Sequence, residues 1–334
     1  MNDINFFSSN EYLFLPNRTN PKVALAIDSP QLANNAFQLY NPFSSRAKTL
    51  KSVAHFFSIN FNILVKKMVA SKKEKSDFIL FLEQELGESL VASLYYATVK
   101  DKIVIQLQTI QAEVIGYLKY PLNEVGLKHI KNEINAFEKL SSLGIVKPYI
   151  LSMEYQNRPF LLLPEIKGKI GMVKREELDK ILEQFKKDEA FPLEKHPRVV
   201  SLQEELLANN MQSYALIIDK LKAQSKREFR VVYEHGDFTP WNIIEVQGEF
   251  EAFDFEYYVE DGLEYFDLIK YYYQIFKLLE QKSEEEIVDA IYKEINIDEI
   301  EYLLKLFLIK EVLRDTIEGL ECSFEQKVLR VMER

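Results

Sequence analysis

The sequence predicts a two-lobed α+β protein, and three observations carry that expectation. Residues 90–98, 102–109 and 112–120 read as consecutive strands, with reversals at Lys100-Asp101 and Ile110-Gln111. Such short connections make an antiparallel meander, not a strand–helix–strand crossover. A helical pattern over about 126–143 follows, with Ile130, Ile134, Phe137 and Leu140 on one face, and then a further hairpin over 148–155 and 158–164. After Gly168 the pattern is mostly helical, apart from a strand–loop–strand unit around residues 229–256. Five strands with one inserted helix, then a helical body with its own small β unit, is an α+β order.

The elements before the meander are of a different kind. Residues 1–43 hold four of the 11 prolines and no glycine, and 12–15 and 23–27 look like short strands broken by turns. A helical pattern runs from a cap at Ser44 or Ser45 to about Val69, and a second covers about 76–86. Gly87 should end it in the left-handed conformation. The expected organisation is an N-terminal extension, 1–87, then a small-sheet lobe with a hinge, 88–167, then a helical lobe, 168–334.

Composition narrows the chemistry. The chain of 334 residues has only 10 glycines, where average usage of ~7% predicts more than twice as many. No G-x-G spacing and no G-x-x-x-x-G-K occurs, so the dinucleotide fingerprint, the Walker phosphate loop and the glycine-rich kinase loop are all missing. A net charge of −10 argues against general nucleic-acid binding. The most basic stretch, Lys66 to Lys75, is short and interrupted, and reads as a solvated helix face more than as an RNA or lipid patch. One cysteine, Cys322, excludes a disulfide framework and fits a reducing cytoplasm. The four histidines lack the spacing of a zinc site. No signal-peptide pattern and no long apolar run is found, so neither export nor membrane insertion is expected.

The densest polar cluster is Glu234-His235-Gly236-Asp237-Phe238-Thr239-Pro240-Trp241-Asn242, with an apolar strand leading in and another leading out. The functional groups thus fall on a loop held at strand ends. After a turn at Gln247-Gly248, a strand delivers Asp254, followed by Phe255-Glu256. Asp237, Asn242 and Asp254 are hard oxygen donors that a hairpin can bring to one edge. Without histidine or thiol, they suit Mg²⁺ with phosphates completing its shell.

The run His235-Gly-Asp-Phe-Thr-Pro-Trp-Asn242, with Phe253-Asp254 beyond it, resembles the catalytic loop and metal-binding strand of the aminoglycoside phosphotransferase and choline kinase family. That resemblance implies a bilobal protein-kinase-like fold over about 90–273. It implies ATP or GTP and Mg²⁺ as cofactors, and a small-molecule hydroxyl acceptor of sugar, aminoglycoside or amino-alcohol type. By it, Asp237 orients the acceptor hydroxyl and takes its proton, and Asn242 and Asp254 hold Mg²⁺. Lys119, ending the third strand, fixes the α- and β-phosphates and pairs with Glu133 on the next helix; Glu124 and Glu138 are competing partners. Glu165, Ile166 and Lys167 form the hinge backbone that receives the nucleotide base. His235 braces the loop from within, and Asp267 accepts the loop's backbone N–H groups, or else caps its helix. Trp241 reads as packing beside a proline.

Glu256, Glu260, Asp261 and Glu264 form an acidic run that either meets a cationic acceptor or is a solvated loop. The chain departs from the pattern at 96–101, a glycine-free loop where Ser93 or Thr98 hydroxyls or backbone N–H groups would have to cradle phosphates. The Phe-Thr-Pro-Trp variant resembles bacterial members associated with surface-polysaccharide synthesis. Two other functions fit the same pattern: nucleotidyl transfer, and a non-catalytic scaffold in glycan biosynthesis.

Overall fold

The computed structural model describes residues 4–42, 45–96 and 101–333. Ser44, Thr98 and most of the 96–101 loop therefore lie outside the described residues. The chain divides into two compact units. One runs to Ile134 and resumes over Pro148–Glu165; the other takes Asn135–Lys147 and everything from Ile166.

The first unit is built on one antiparallel sheet. Its strands are β1 (Glu11–Leu15), β2 (Val23–Ala26), β3 (Ala70–Ser71), β4 (Leu90–Tyr96), β5 (Lys102–Thr109), β6 (Val114–Pro121), β7 (Leu151–Tyr155) and β8 (Arg158–Pro164). They lie in the order β3-β1-β2-β4-β5-β6-β8-β7. The expected meander is β4–β5–β6, followed by α5 (Glu124–Ser142) and the β7–β8 hairpin. Four helices precede the meander: α1 (Pro30–Ala36), α2 (Ser45–Asn60), α3 (Asn62–Met68) and α4 (Asp77–Leu86).

Residues 4–87 contribute strands to this same sheet, because β2 pairs with β4 (Val23 opposite Tyr95). Buried Tyr12 donates its hydroxyl to the Ala92 carbonyl at 2.9 Å, and the Ser8 hydroxyl accepts the Ala92 N–H at 2.9 Å. Helix α4 begins at Ser76, whose side chain accepts from Ile79 N–H, and ends at Gly87 with φ +70°. Its apolar face inserts Phe78 among Phe6, Tyr120, Tyr155 and Phe160, with ring centroids 4.9–5.7 Å apart. Phe78→Ala should therefore cost about 3–5 kcal/mol of unfolding free energy, measured by chemical denaturation. A loss under 1 kcal/mol would mean that α4 is peripheral to this core.

The continuous helix expected to Val69 is instead two, broken at Phe61 (φ −127°, ψ 32°). The cause is Asn62, whose buried amide donates to the carbonyls of Ile27 and Ser58 at 2.8 and 3.0 Å. A side chain that satisfies backbone carbonyls in this way competes with helix continuation.

The second unit is mainly helical: α6 (Arg175–Gln184), α7 (Pro197–Ala208), α8 (Gln212–Gln224), α9 (Phe266–Gln274), α10 (Glu284–Glu294), α11 (Ile300–Glu318) and α12 (Ser323–Val331). Between them lie two three-stranded sheets. One has the order β10 (Lys186–Pro192), β11 (Glu228–Glu234), β14 (Val259–Leu263); the other β13 (Glu249–Ala252), β12 (Ile243–Val246), β9 (Lys169–Ile170). Strands β9, β10 and β14 fall where mainly helix or loop was expected. Strand β10, Lys-Lys-Asp-Glu-Ala-Phe-Pro, is an exposed edge, and charged edge strands show no apolar alternation to read. No helix among the described residues is long and apolar enough to cross a membrane.

Candidate active site

The loop expected to carry the chemistry is set by β11 and the β12–β13 hairpin of the second unit. The hairpin pairs Ile243 with Ala252, and Phe253 N–H donates to the Asn242 carbonyl at 3.0 Å, which brings Asn242 beside Asp254. Asp254 itself has φ +68°, a conformation that aspartate tolerates better than most residues. Asn242 is buried and spends both amide hydrogens on Asp237, one on its carbonyl (2.9 Å) and one on Oδ2 (3.0 Å). That fixes the carboxylate and leaves the Asn242 amide oxygen as the atom able to meet a cation.

His235 lies wholly inside. Its ring sits between Phe238 and Phe255, with centroids at 5.8 and 4.5 Å. Nε2 is 2.9 Å from the Phe253 carbonyl, which can only accept, so Nε2 carries the proton and Nδ1 faces the Asp237 N–H at 3.3 Å. Burial holds the imidazole below its ordinary pKa range, so the ring is neutral. Asp267, in the first turn of α9, accepts the N–H groups of His235 (2.8 Å) and Gly236 (2.9 Å). Burial, with the nearby Glu234 charge, pushes its carboxyl up to about 7, against the pull of those two donors.

Gly236 has φ +80°, and a Cβ there would lie 2.1 Å from the Tyr257 carbonyl oxygen. Gly236→Ala should cost at least ~2 kcal/mol and misplace Asp237. A variant that keeps the parent's stability and turnover would show that the loop moves aside without cost.

A buried ladder of alternating charge runs behind the loop. Lys270, on α9, lies 3.2 Å from Asp237 Oδ1 and 2.6 Å from Glu311 Oε2. Glu311, on α11, also meets Arg314 at 2.9 Å and Lys310 at 3.5 Å, and Lys310 pairs with Glu234 at 2.8 Å. Burial alone would raise the Glu311 pKa, but Arg314, Lys270 and Lys310 outweigh it and hold the carboxylate well below its ordinary range. None of Lys270, Lys310, Glu311 or Arg314 was among the residues anticipated from sequence. A signal was present: Lys270 follows Asp267 by one helical turn on the same face, and Lys310-Glu311 interrupts an otherwise apolar, buried run in α11.

The remaining anticipated residues fall as follows. In the first unit, Lys119 on β6 pairs with Glu133 on α5 at 2.6 and 2.8 Å, and both are buried. Of the competing acids, Glu124 begins α5 and Glu138 lies on its second-unit segment. Ser93 is buried and its hydroxyl accepts Ala26 N–H at 3.0 Å, so it serves the sheet. Glu165, Ile166 and Lys167 form an irregular stretch between β8 and β9.

In the second unit, Glu260 and Asp261 lie on β14 and are exposed, paired with Lys139 (2.9 Å) and Lys187 (2.7 Å). Glu256 is half-buried just beyond Asp254, and Trp241 is half-buried in the short turn Pro240–Asn242. Among the described residues, no group of three or more His, Cys, Asp or Glu side chains could hold a metal by itself. A cation at Asn242 and Asp254 would take the rest of its shell from phosphate and water.

No protein-family profile matches the sequence, and no curated protein does. Solved structures that it resembles include an ethanolamine kinase from Plasmodium vivax, at 14% identity over 91% of this chain and 94% of that one, with a TM-score of 0.46. A choline kinase from Cryptosporidium parvum matches at 13% identity over 73% and 88%, with a TM-score of 0.44. An aminoglycoside phosphotransferase from Streptomyces rimosus matches at 14% identity over 70% and 96%, with a TM-score of 0.44.

Proposed function

We propose that this chain is a Mg²⁺-dependent phosphotransferase that moves the γ-phosphoryl group of ATP, or of GTP, to a hydroxyl of a small molecule. The observation that carries the reading is the setting of Asp237. Its carboxylate is fixed by the Asn242 amide and the Lys270 ammonium, on a loop whose backbone Asp267 holds by two N–H groups. A carboxylate so placed and partly open to solvent can accept the hydrogen bond, and then the proton, of an incoming hydroxyl. Asn242 and Asp254 would hold Mg²⁺. When bound, the ion neutralises charge on the β- and γ-phosphates.

Lys119, oriented by Glu133, supplies a fixed positive charge for the α- and β-phosphates, and the backbone of Glu165 to Lys167 would take the base edge. His235 stays neutral and serves the loop, not the proton transfer. In this reading the protein contributes position and electrostatics, and little covalent chemistry.

The test is transfer from ATP or GTP with Mg²⁺ to a panel of sugars, aminoglycosides, amino alcohols and hydroxylated amino acids, with products weighed by mass spectrometry. Gain of one phosphoryl group on an acceptor supports the proposal. Gain of a nucleotidyl group replaces it with nucleotidyl transfer. Neither product, together with no thermal shift on adding nucleotide and Mg²⁺, replaces it with a non-catalytic role.

A further inference from the structure

The helical pair α2–α3 carries a surface that the chemistry of the loop does not use. Phe56, Phe57, Phe61, Ile63, Leu64 and Met68 are each 45–80% exposed. The three phenylalanines cluster on one another in solvent, with centroids 5.6–6.2 Å apart. The opposite face of the pair is the one that holds to the first unit. There Ala54 and Val65 pack on the core around Phe37, Ser58 is buried, and Asn62 is tied to the Ile27 carbonyl. Isolated exposed apolar side chains are ordinary, whereas a contiguous set on one face marks an interaction surface.

Charge says what covers it. Residues 45–75 hold eight Lys or Arg and a single acid, Glu74, within a chain of net charge −10. Arg46, Lys48, Lys67, Lys72 and Lys73 are exposed. A second copy of this surface would bring like charges face to face. An RNA strand would find three rings to stack on but no use for Ile63, Leu64 and Met68. An anionic phospholipid bilayer matches both properties, since acyl chains accept aliphatic and aromatic groups alike and the headgroups accept the cations.

We propose that α2–α3 is a peripheral membrane-docking surface that lays its phenylalanine and aliphatic side chains into the interface of an anionic phospholipid bilayer. The surface adsorbs and does not span. Neither helix has the length to cross. The inference is independent of the reaction proposed above.

The experiment is flotation of the full chain with vesicles of phosphatidylcholine alone and of phosphatidylcholine with phosphatidylglycerol, at low and high salt. Partitioning onto the anionic vesicles should exceed that onto the neutral ones by about tenfold or more, and should fall as salt rises. Two variants divide the apolar and charged contributions: Phe56→Ser/Phe57→Ser/Phe61→Ser, and Lys67→Glu/Lys73→Glu. Each should weaken binding to anionic vesicles by about tenfold or more while leaving thermal unfolding unchanged. If the triple variant fails to fold, the charge-reversal variant still decides the matter. Equal partitioning onto both vesicle types, or anionic binding that neither variant alters, would overturn the proposal. So would vesicle binding at background with these substitutions instead splitting a dimer or abolishing RNA binding.

Discussion

Replacing Asp237 by asparagine is expected to lower phosphoryl transfer by a factor of ~10²–10⁴, the range typical of losing a positioned proton acceptor. The amide keeps the shape of the carboxylate and can still accept from Asn242. Lys270 keeps its 2.6 Å partner in Glu311, so the loop stays supported. What is lost is the basic oxygen. The loss should therefore appear in kcat, with the nucleotide KM nearly unchanged, because no nucleotide contact is assigned to this side chain. Asn242→Ala should behave differently. It removes both the amide that orients Asp237 and one candidate Mg²⁺ donor, so kcat should fall and the Mg²⁺ concentration for half-maximal rate should rise. Turnover of the Asp237 variant equal to the parent would end the assigned role. A shared defect in nucleotide KM alone would move both residues from chemistry to binding.

Much of the region behind this prediction is legible in the sequence because it rests on local pattern. Strands β4, β5 and β6 alternate or run apolar between turn residues, and α4 is bracketed by Ser76 and Gly87. The His235–Asn242 motif also fixes its own geometry, through the left-handed Gly236 and the hairpin that brings Asn242 to Asp254. The elements that escaped depend on tertiary context. Strand β10 has no period because it is an exposed, charged edge, and the break at Phe61 is made by an asparagine reaching a carbonyl 35 residues away in the chain. The charge ladder escaped for the same reason. A lysine or glutamate on a helix reads as surface until its partner on another helix is known, and Lys270 and Glu311 are 41 residues apart. The acidic run at Glu260 and Asp261 reads two ways in sequence, as a cationic-acceptor site or as a solvated loop; in the structure each carboxylate meets a lysine on an exposed strand, where such pairs contribute little.

Removing the charge of Glu311 is expected to be the most damaging change to stability in the second unit. The side chain is buried between Lys270, Lys310 and Arg314, and Glu311→Gln removes the one carboxylate they share, leaving only Asp237, Glu234 and Asp315 to offset three largely buried cations. Breaking a buried pair in this way typically costs about 3–5 kcal/mol. Lys270→Met should cost less, because Glu311 keeps Arg314 and Lys310, but it strips Asp237 of a partner and should lower kcat. The double variant Lys270→Met/Glu311→Gln should be more stable than the sum of the two single losses, as expected of residues that satisfy each other. The dependence on pH gives a second check. The folded pKa of Glu311 lies below its ordinary 4.5, so its stabilisation is fully present above that value and is lost as pH falls through the folded one. The stability gap between the parent and Glu311→Gln should thus be constant at neutral pH and should close progressively below about 4.5, since the arginine and lysines keep their charge there. A gap that is absent at neutral pH, or that does not change under acid, would show that the ladder is not what holds α9 to α11 behind the loop.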